Sequence, residues 1–315
     1  MKKLIALTLC ILLLAGCAPA TYDGPTVEKA VISEFIREHH QLPIGHVDTE
    51  RIVYAYDIYG NLAQTIEYAN GKETEKTTYT YDDRGNLLTE TRYSLGGLFP
   101  RRTSSVEYTY DEQDRVTCER YSHDSQTVIE YRYDDEARTC TRLENGAIQT
   151  ITTYDESGNV LSKKTFNCGF DWHLVEYTRD GQGRVLTSRE TNSEGYDRFT
   201  HCGYDDRGNT ILWEINDNGE VEIQQMQYEY DDQGRMLAQY EVSSDSRTEV
   251  ARWEYLDENG SYRLWRGDIQ SHIRRFNELG NLIENSHYVN ETDQFGIREF
   301  TIYRTIQVPA KEETP

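Results

Sequence analysis

Residues 79–87 read Tyr79-Thr80-Tyr81-Asp82-Asp83-Arg84-Gly85-Asn86-Leu87. The Tyr-x-Tyr alternation puts two rings on one face of an extended chain and a threonine on the other. Asp82 is placed to open a type I turn, its carboxylate accepting from backbone N–H groups two residues on. Gly85 then supplies the positive φ that the following bulge needs. Leu87 begins a return strand that runs to Tyr93. One β-hairpin is therefore written into about twenty residues.

Outward from this stretch, the unit recurs. Tyr54-Ala55-Tyr56 precedes Asp57 and Gly60, Tyr108-Thr109-Tyr110 precedes Asp111, and Tyr131-Arg132-Tyr133 precedes Asp134. Asp155 with Gly158, Asp180 with Gly183, Asp205 with Gly208, and Asp231 with Gly234 repeat the turn. Asp257 lies in a degenerate copy, and so do Asn277 and Gly280. From 57 to 277 there are nine steps, which gives about 24 residues per unit, within the range of repeat arrays. Asn70-Gly71, Asn145-Gly146 and Asn218-Gly219 are suited to the second turn of a unit. Two strands and two turns fill each unit, so residues 50–308 are predicted to form an all-β antiparallel hairpin meander of about twenty strands. Sheet twist should curl it into a strip or partial barrel.

The flanks read differently. Val27, Val31 and Phe35 recur every four residues, Glu28 falls where a first helical turn favours an acid, and Pro43 follows. That pattern predicts a short N-terminal helix within residues 27–49, capping the edge of the sheet. Residues 309–315 form a polar tail.

At the start of the chain, Lys2 and Lys3 precede an apolar run from Leu4 to Leu14. Eleven residues cannot span a bilayer, which needs about twenty, but they fit a secretory h-region. The run ends in Leu14-Ala15-Gly16-Cys17, which resembles the lipobox of bacterial lipoproteins. The resemblance implies a signal peptide over 1–16, lipid attachment at Cys17 and a tether over 17–26. It further implies a location in the cell envelope outside the cytoplasm, anchored rather than spanning.

Charge and cysteine content narrow the function classes. The chain has 33 Lys+Arg against 55 Asp+Glu, a formal charge of −22, and no basic face for phosphate neutralisation; a nucleic-acid partner is not expected. With 24 Tyr, 8 Phe and 4 Trp the chain has enough bulk to order. Cys118, Cys140, Cys168 and Cys202 allow three disulfide connectivities, and free thiols remain the other reading; none has CxxC metal spacing. The doubled turn acids such as Asp82-Asp83 and Asp231-Asp232 suggest calcium, which takes six to eight oxygens. The turn already explains the first Asp of each pair, and no EF-hand or glycine-rich calcium nonapeptide is present, so no cofactor is expected. The eight histidines are scattered without HExxH spacing, and Gly-x-Ser-x-Gly does not occur.

The unit Tyr-Asp-x-x-Gly-Arg/Asn-apolar resembles the YD repeat of RHS-type bacterial proteins over roughly residues 50–290. The resemblance implies β-hairpins spiralling into a shell or strip displayed outside the cytoplasm. Large members enclose a C-terminal toxin; this sequence has no counterpart of their self-cleaving aspartate motif, so a toxin function does not carry over.

The expected function is a non-enzymatic, membrane-anchored scaffold for interaction or ligand binding, carbohydrate included. The candidate contacts are Phe99, Arg101 and Arg102 in the loop after the second unit, together with Trp172, Trp213 and Trp265. A protein partner is the alternative, as in an immunity-type protein that binds a secreted toxin at the envelope. A polysaccharide-acting enzyme ranks third, because no catalytic pair of carboxylates stands out.

Overall fold

A computed structural model describes residues 26–41, 46–97, 99–123, 126–167, 171–267, 269–288 and 295–309. The expected signal peptide, Cys17, most of the expected tether, Cys168 and all of the polar tail but Pro309 lie outside these residues. Among the described residues there are 22 strands and no helix. Each strand pairs antiparallel with the next in sequence, as Lys72–Tyr81 does with Leu87–Ser94. The first strand (Thr26–Gln41) pairs both with the second (His46–Tyr56) and with the last (Phe295–Pro309), so the sheet closes into a barrel.

Two expectations are corrected here. The N-terminal segment is not a helix but a strand of 16 residues at the seam of the barrel. A spacing of four satisfies a two-residue period as well as a helical one, and thirteen register positions against the last strand decide between them. The sheet is also not an open strip or partial barrel. Closure follows from a feature repeated around the ring: a register shift at the residue just before the turn acid. It falls between Ala55 and Tyr56, Thr80 and Tyr81, Thr109 and Tyr110, Thr153 and Tyr154, Thr178 and Arg179, Gly203 and Tyr204, and Glu229 and Tyr230. Each such bulge bends its strand and adds right-handed twist, and the same bend in successive hairpins brings the ends together.

The turns sort onto two rims. Because the chain is an unbroken meander, every turn led by Asp or Asn at 57, 82, 111, 155, 180, 205, 231 and 277 lies on one rim. The tight turns at Asn70-Gly71, Asn145-Gly146 and Asn218-Gly219 lie on the other. Both residues of each have positive φ, the type I′ geometry that matches strand twist. The first strand starts and the last strand ends on the aspartate rim, where Thr26 pairs with Pro309.

Eight strands already make a barrel that side chains can just fill, so a 22-strand ring is too wide for its own side chains to pack across. Accordingly, only nine apolar side chains are buried among the described residues, Ile129, Leu143 and Met226 among them. Stability has to come from contacts along the sheet rather than from a thick core. Tyr79 and Tyr81 are half-buried while Thr80 between them is exposed, and Thr80 meets Thr89 across the strand pair (Oγ1–Oγ1 2.7 Å).

Candidate ligand-binding surface

The aspartate rim is built by one repeated set of bonds. Asp82 Oδ1 accepts from the backbone N–H of Arg84 (3.0 Å) and Asn86 (2.8 Å), and Oδ2 accepts from Asn86 Nδ2 (3.1 Å). Gly85 N donates to Asp82 O at 3.2 Å with φ of 89°. Asp57, Asp155 and Asp205 repeat this with Asn61, Asn159 and Asn209. Asp111, Asp180 and Asp231 instead hold the Nε of Arg115, Arg184 and Arg235 at 2.7, 2.6 and 2.6 Å. Asn and Arg share this position because each can donate to both the backbone-facing and the outer oxygen of the acid.

In the Asp111 turn the glycine's role falls to Asp114, at φ 60°. Asp134 makes a different turn, accepting from Ala137 N at 2.8 Å, with Arg138 at φ 52°. Hydrogen bonds from the side chain and backbone of Asn159 hold the Asp155 carboxyl below the usual carboxylate range. Both oxygens of these first acids are occupied by N–H donors, which leaves them little to offer a cation. Among the described residues no group of three or more His, Cys, Asp or Glu is arranged to hold a metal.

Units are tied to one another through the second tyrosine. Tyr81 Oη donates to Leu62 O (2.8 Å), Tyr110 to Leu87 O (2.8 Å), Tyr133 to Val116 O (3.0 Å) and Tyr204 to Val185 O (2.7 Å). The acceptor each time is the residue that opens the return strand of the preceding unit. Where the slot holds Arg179, the guanidinium reaches the equivalent Val160 O. The hydroxyls of these four tyrosines are thus taken up within the sheet.

The three tryptophans singled out by sequence are not brought together. Trp172, Trp213 and Trp265 are each half-buried. Lys164 Nζ stands 4.6 Å from the Trp172 ring, Trp213 faces Cys202 across its strand pair, and Trp265 Nε1 donates to Glu254. Cys118, Cys140 and the buried Cys202 are free thiols.

Phe99, Arg101 and Arg102 lie together on the rim opposite the aspartates, where Ser94 pairs with Arg101 and Tyr93 with Arg102. Phe99 is 81% exposed, more than any other large apolar side chain among the described residues. Arg101 and Arg102 line an open cavity of about 570 Å³ with Ser94, Thr103, Ser122 and His123. Several arginines elsewhere are matched by acids, as Arg92 by Glu75 (3.1 Å), Arg132 by Glu130 (3.2 Å) and Arg247 by Glu229 (2.7 Å), while others such as Arg179 and Arg207 bond to backbone carbonyls. Among the described residues no carboxylate forms an ion pair with Arg101 or Arg102; the Nη2 of Arg102 donates to Ser105 Oγ. His123 and the cavity hydroxyls gave no signal in the sequence, since only the pairing of neighbouring strands gathers them.

A polar line across the seam was also invisible in the sequence. Arg274 Nε donates to Asn285 Oδ1 (3.4 Å), Asn285 Nδ2 to Glu299 Oε2 (3.0 Å), and Arg37 Nε to Glu299 Oε1 (2.9 Å). Arg37 continues to Glu50 at 3.5 Å, so the line joins the last strands of the chain to the first two. Beside it His272 and His287 stand opposite each other, ring centroids 4.3 Å apart.

No family model matches the chain. It is 25% identical over 239 residues to the tRNA3(Ser)-specific nuclease WapA of Bacillus spizizenii, a match covering 74% of this chain and 9% of that protein. Among solved structures, TcdB2-TccC3 without its hypervariable C-terminal region is similar over 84% of this chain and 15% of its own, with 14% identity and a TM-score of 0.38. A porin-like protein from Bacteroides uniformis is similar over 90% of this chain and 99% of its own, with 11% identity and a TM-score of 0.31.

Proposed function

We propose that the protein is a non-enzymatic, lipid-anchored scaffold of the cell envelope that captures a ligand, with carbohydrate as the first choice, on the rim carrying Phe99, Arg101 and Arg102. The observation that carries this reading is that Phe99, the most exposed large apolar side chain among the described residues, neighbours Arg101 and Arg102, with which no carboxylate among the described residues forms an ion pair, on a chain of net charge −22. Exposed aromatic and charged groups on a loop held by a rigid scaffold are the usual makings of a binding site.

Topology supports an orientation. The strand that follows the lipobox-like segment starts on the aspartate rim. A lipid at Cys17 would therefore hold that rim toward the membrane and leave the Phe99 rim pointing away. The strand Leu62–Ala69 has 8 residues, about 27 Å along its length, and a barrel tilt of about 40° sets the two rims about 20 Å apart. Charged residues on both faces of the sheet argue for a barrel that sits above the bilayer rather than in it. Arg92 lies on the face of Tyr79, while Arg120 and Arg132 lie on the face of the exposed threonines. An arginine facing lipid at mid-bilayer costs about 2–4 kcal/mol, and a ring of them would not insert.

The test has two arms. Labelled palmitate should enter the wild-type chain and not Cys17→Ser. The segment from Ala18 to Pro315, which contains every strand of the closed barrel, should bind specific members of a polysaccharide array. A blank array against a captured protein ligand would favour the immunity-type alternative.

A further inference from the structure

We propose that the cavity between Arg101, Arg102 and His123 is a subsite for a negatively charged group, a carboxylate or a sulfate, carried by a saccharide ligand. The inference rests on the scaffold reading above and names its ligand class. Arg101 and Arg102 are adjacent at the start of one strand (Arg101–Tyr110), so their side chains leave opposite faces of the sheet, and both line the cavity at the rim; His123 follows the end of the next strand (Val116–Ser122). Guanidinium forks match the paired oxygens of a carboxylate or sulfate, which a point charge does not. The rest of the lining is hydroxyl, from Ser94, Thr103 and Ser122, and no acid lines the cavity among the described residues. Hydroxyls exchange hydrogen bonds with sugar hydroxyls in either direction. Phe99, on the same loop, offers an open ring face to the apolar side of a pyranose. This combination favours a saccharide over an acidic peptide.

The chain's net charge of −22 does not cancel the site. At physiological ionic strength the Debye length is about 8 Å, so acids beyond the rim are largely screened from a group seated between the arginines. Arg92, Arg132 and Arg247, by contrast, are each neutralised by a neighbouring acid.

Isothermal titration of Ala18–Pro315 with polygalacturonate, dextran sulfate and neutral dextran at physiological salt tests the assignment. At least one charged polymer should bind, neutral dextran should not, and whichever charged polymer binds identifies the group. The double variant Arg101→Ala/Arg102→Ala should lose at least tenfold in affinity, and Arg101→Lys/Arg102→Lys should recover only part of it. Arg132→Ala removes one positive charge from a matched pair and should change affinity less than twofold. Neutral dextran bound as well as the charged polymers, with no loss in the double variant, would overturn the subsite while leaving the scaffold standing. A chain that binds no saccharide of any charge would overturn the carbohydrate reading together with the subsite.

Discussion

The guanidinium of Arg115 lies 4.2 Å from the centroid of the Tyr133 ring while its Nε holds Asp111 at 2.7 Å. One side chain thus closes the turn of its own unit and covers the tyrosine of the next. Arg184 over Tyr204 (4.6 Å) and Arg235 over Tyr255 (4.2 Å) do the same. Asn copies such as Asn86 close the turn without covering the ring, Asn86 reaching the next unit through Asp114 Oδ1 (2.8 Å) instead. Arg184→Asn should therefore retain the turn and lose the stacking, at a cost of about 0.5–1 kcal/mol. Arg184→Ala should cost roughly twice that, because Asp180 also loses a charge-assisted partner. Urea unfolding of the two variants reads the difference; equal losses would mean the ring contact contributes nothing.

Glycines of the turns should not be equivalent. Gly60 and Gly85 both have positive φ, 78° and 89°. A Cβ on Gly85 would meet nothing within 4 Å, so Gly85→Ala costs only the backbone strain, about 1 kcal/mol. A Cβ on Gly60 would come within 2.8 Å of Val308 Cγ1 and 3.2 Å of Lys29, the side chains of the last and first strands. Gly60→Ala should therefore destabilise clearly more than Gly85→Ala and should raise amide exchange in Thr26–Ile32. Similar melting temperatures for the two variants would show that the Asp57 turn does not pack on the seam.

Closure itself is testable at Arg37 and Glu299, joined across 262 positions of sequence. Arg37→Ala and Glu299→Gln should each speed amide exchange in the first and last strands more than in Val185–Asn192 on the far side of the ring. The ion pair is only half-buried, so a double-mutant cycle should give a coupling of about 0.5–1 kcal/mol. Uniform exchange changes around the ring would indicate that the seam is no weaker than any other strand pair.

The local unit was legible because each of its parts has a local cause. Tyr-x-Tyr fixes a face, Asp82 captures the N–H of Arg84 and Asn86, and Gly85 takes the conformation other residues avoid. What joins distant parts was not legible. Val31 pairs with Arg304 and Phe35 with Thr301, and nothing in the spacing of Val27, Val31 and Phe35 names those partners. The candidate surface was half visible: Phe99, Arg101 and Arg102 stand out in the loop, whereas Ser122 and His123 join them only through strand pairing. That Trp172, Trp213 and Trp265 are half-buried was not legible either, because a half-buried ring on a sheet has the same composition as an exposed one.

Acid should weaken the strand pair of His272 and His287, beside the seam, before it weakens the turns. Burial, the neighbouring His287, and Arg274 and Arg266 push the His272 imidazole down to about 4 from an ordinary 6.5. The folded state therefore disfavours the proton that the unfolded chain accepts. Stability from a neutral His272 is fully present above about pH 6.5 and is lost as pH falls toward 4. The turn acids Asp111, Asp155, Asp180 and Asp231 also sit below their ordinary value. Their share is retained until pH falls below the ordinary aspartate range, near 3.8. Two windows result, one for the strand pair beside the seam and a lower one for the aspartate rim. Urea midpoints measured from pH 7 to 4 should fall for the wild type and fall less for His272→Gln, which cannot titrate. Parallel curves for the two proteins would place the acid sensitivity elsewhere in the barrel.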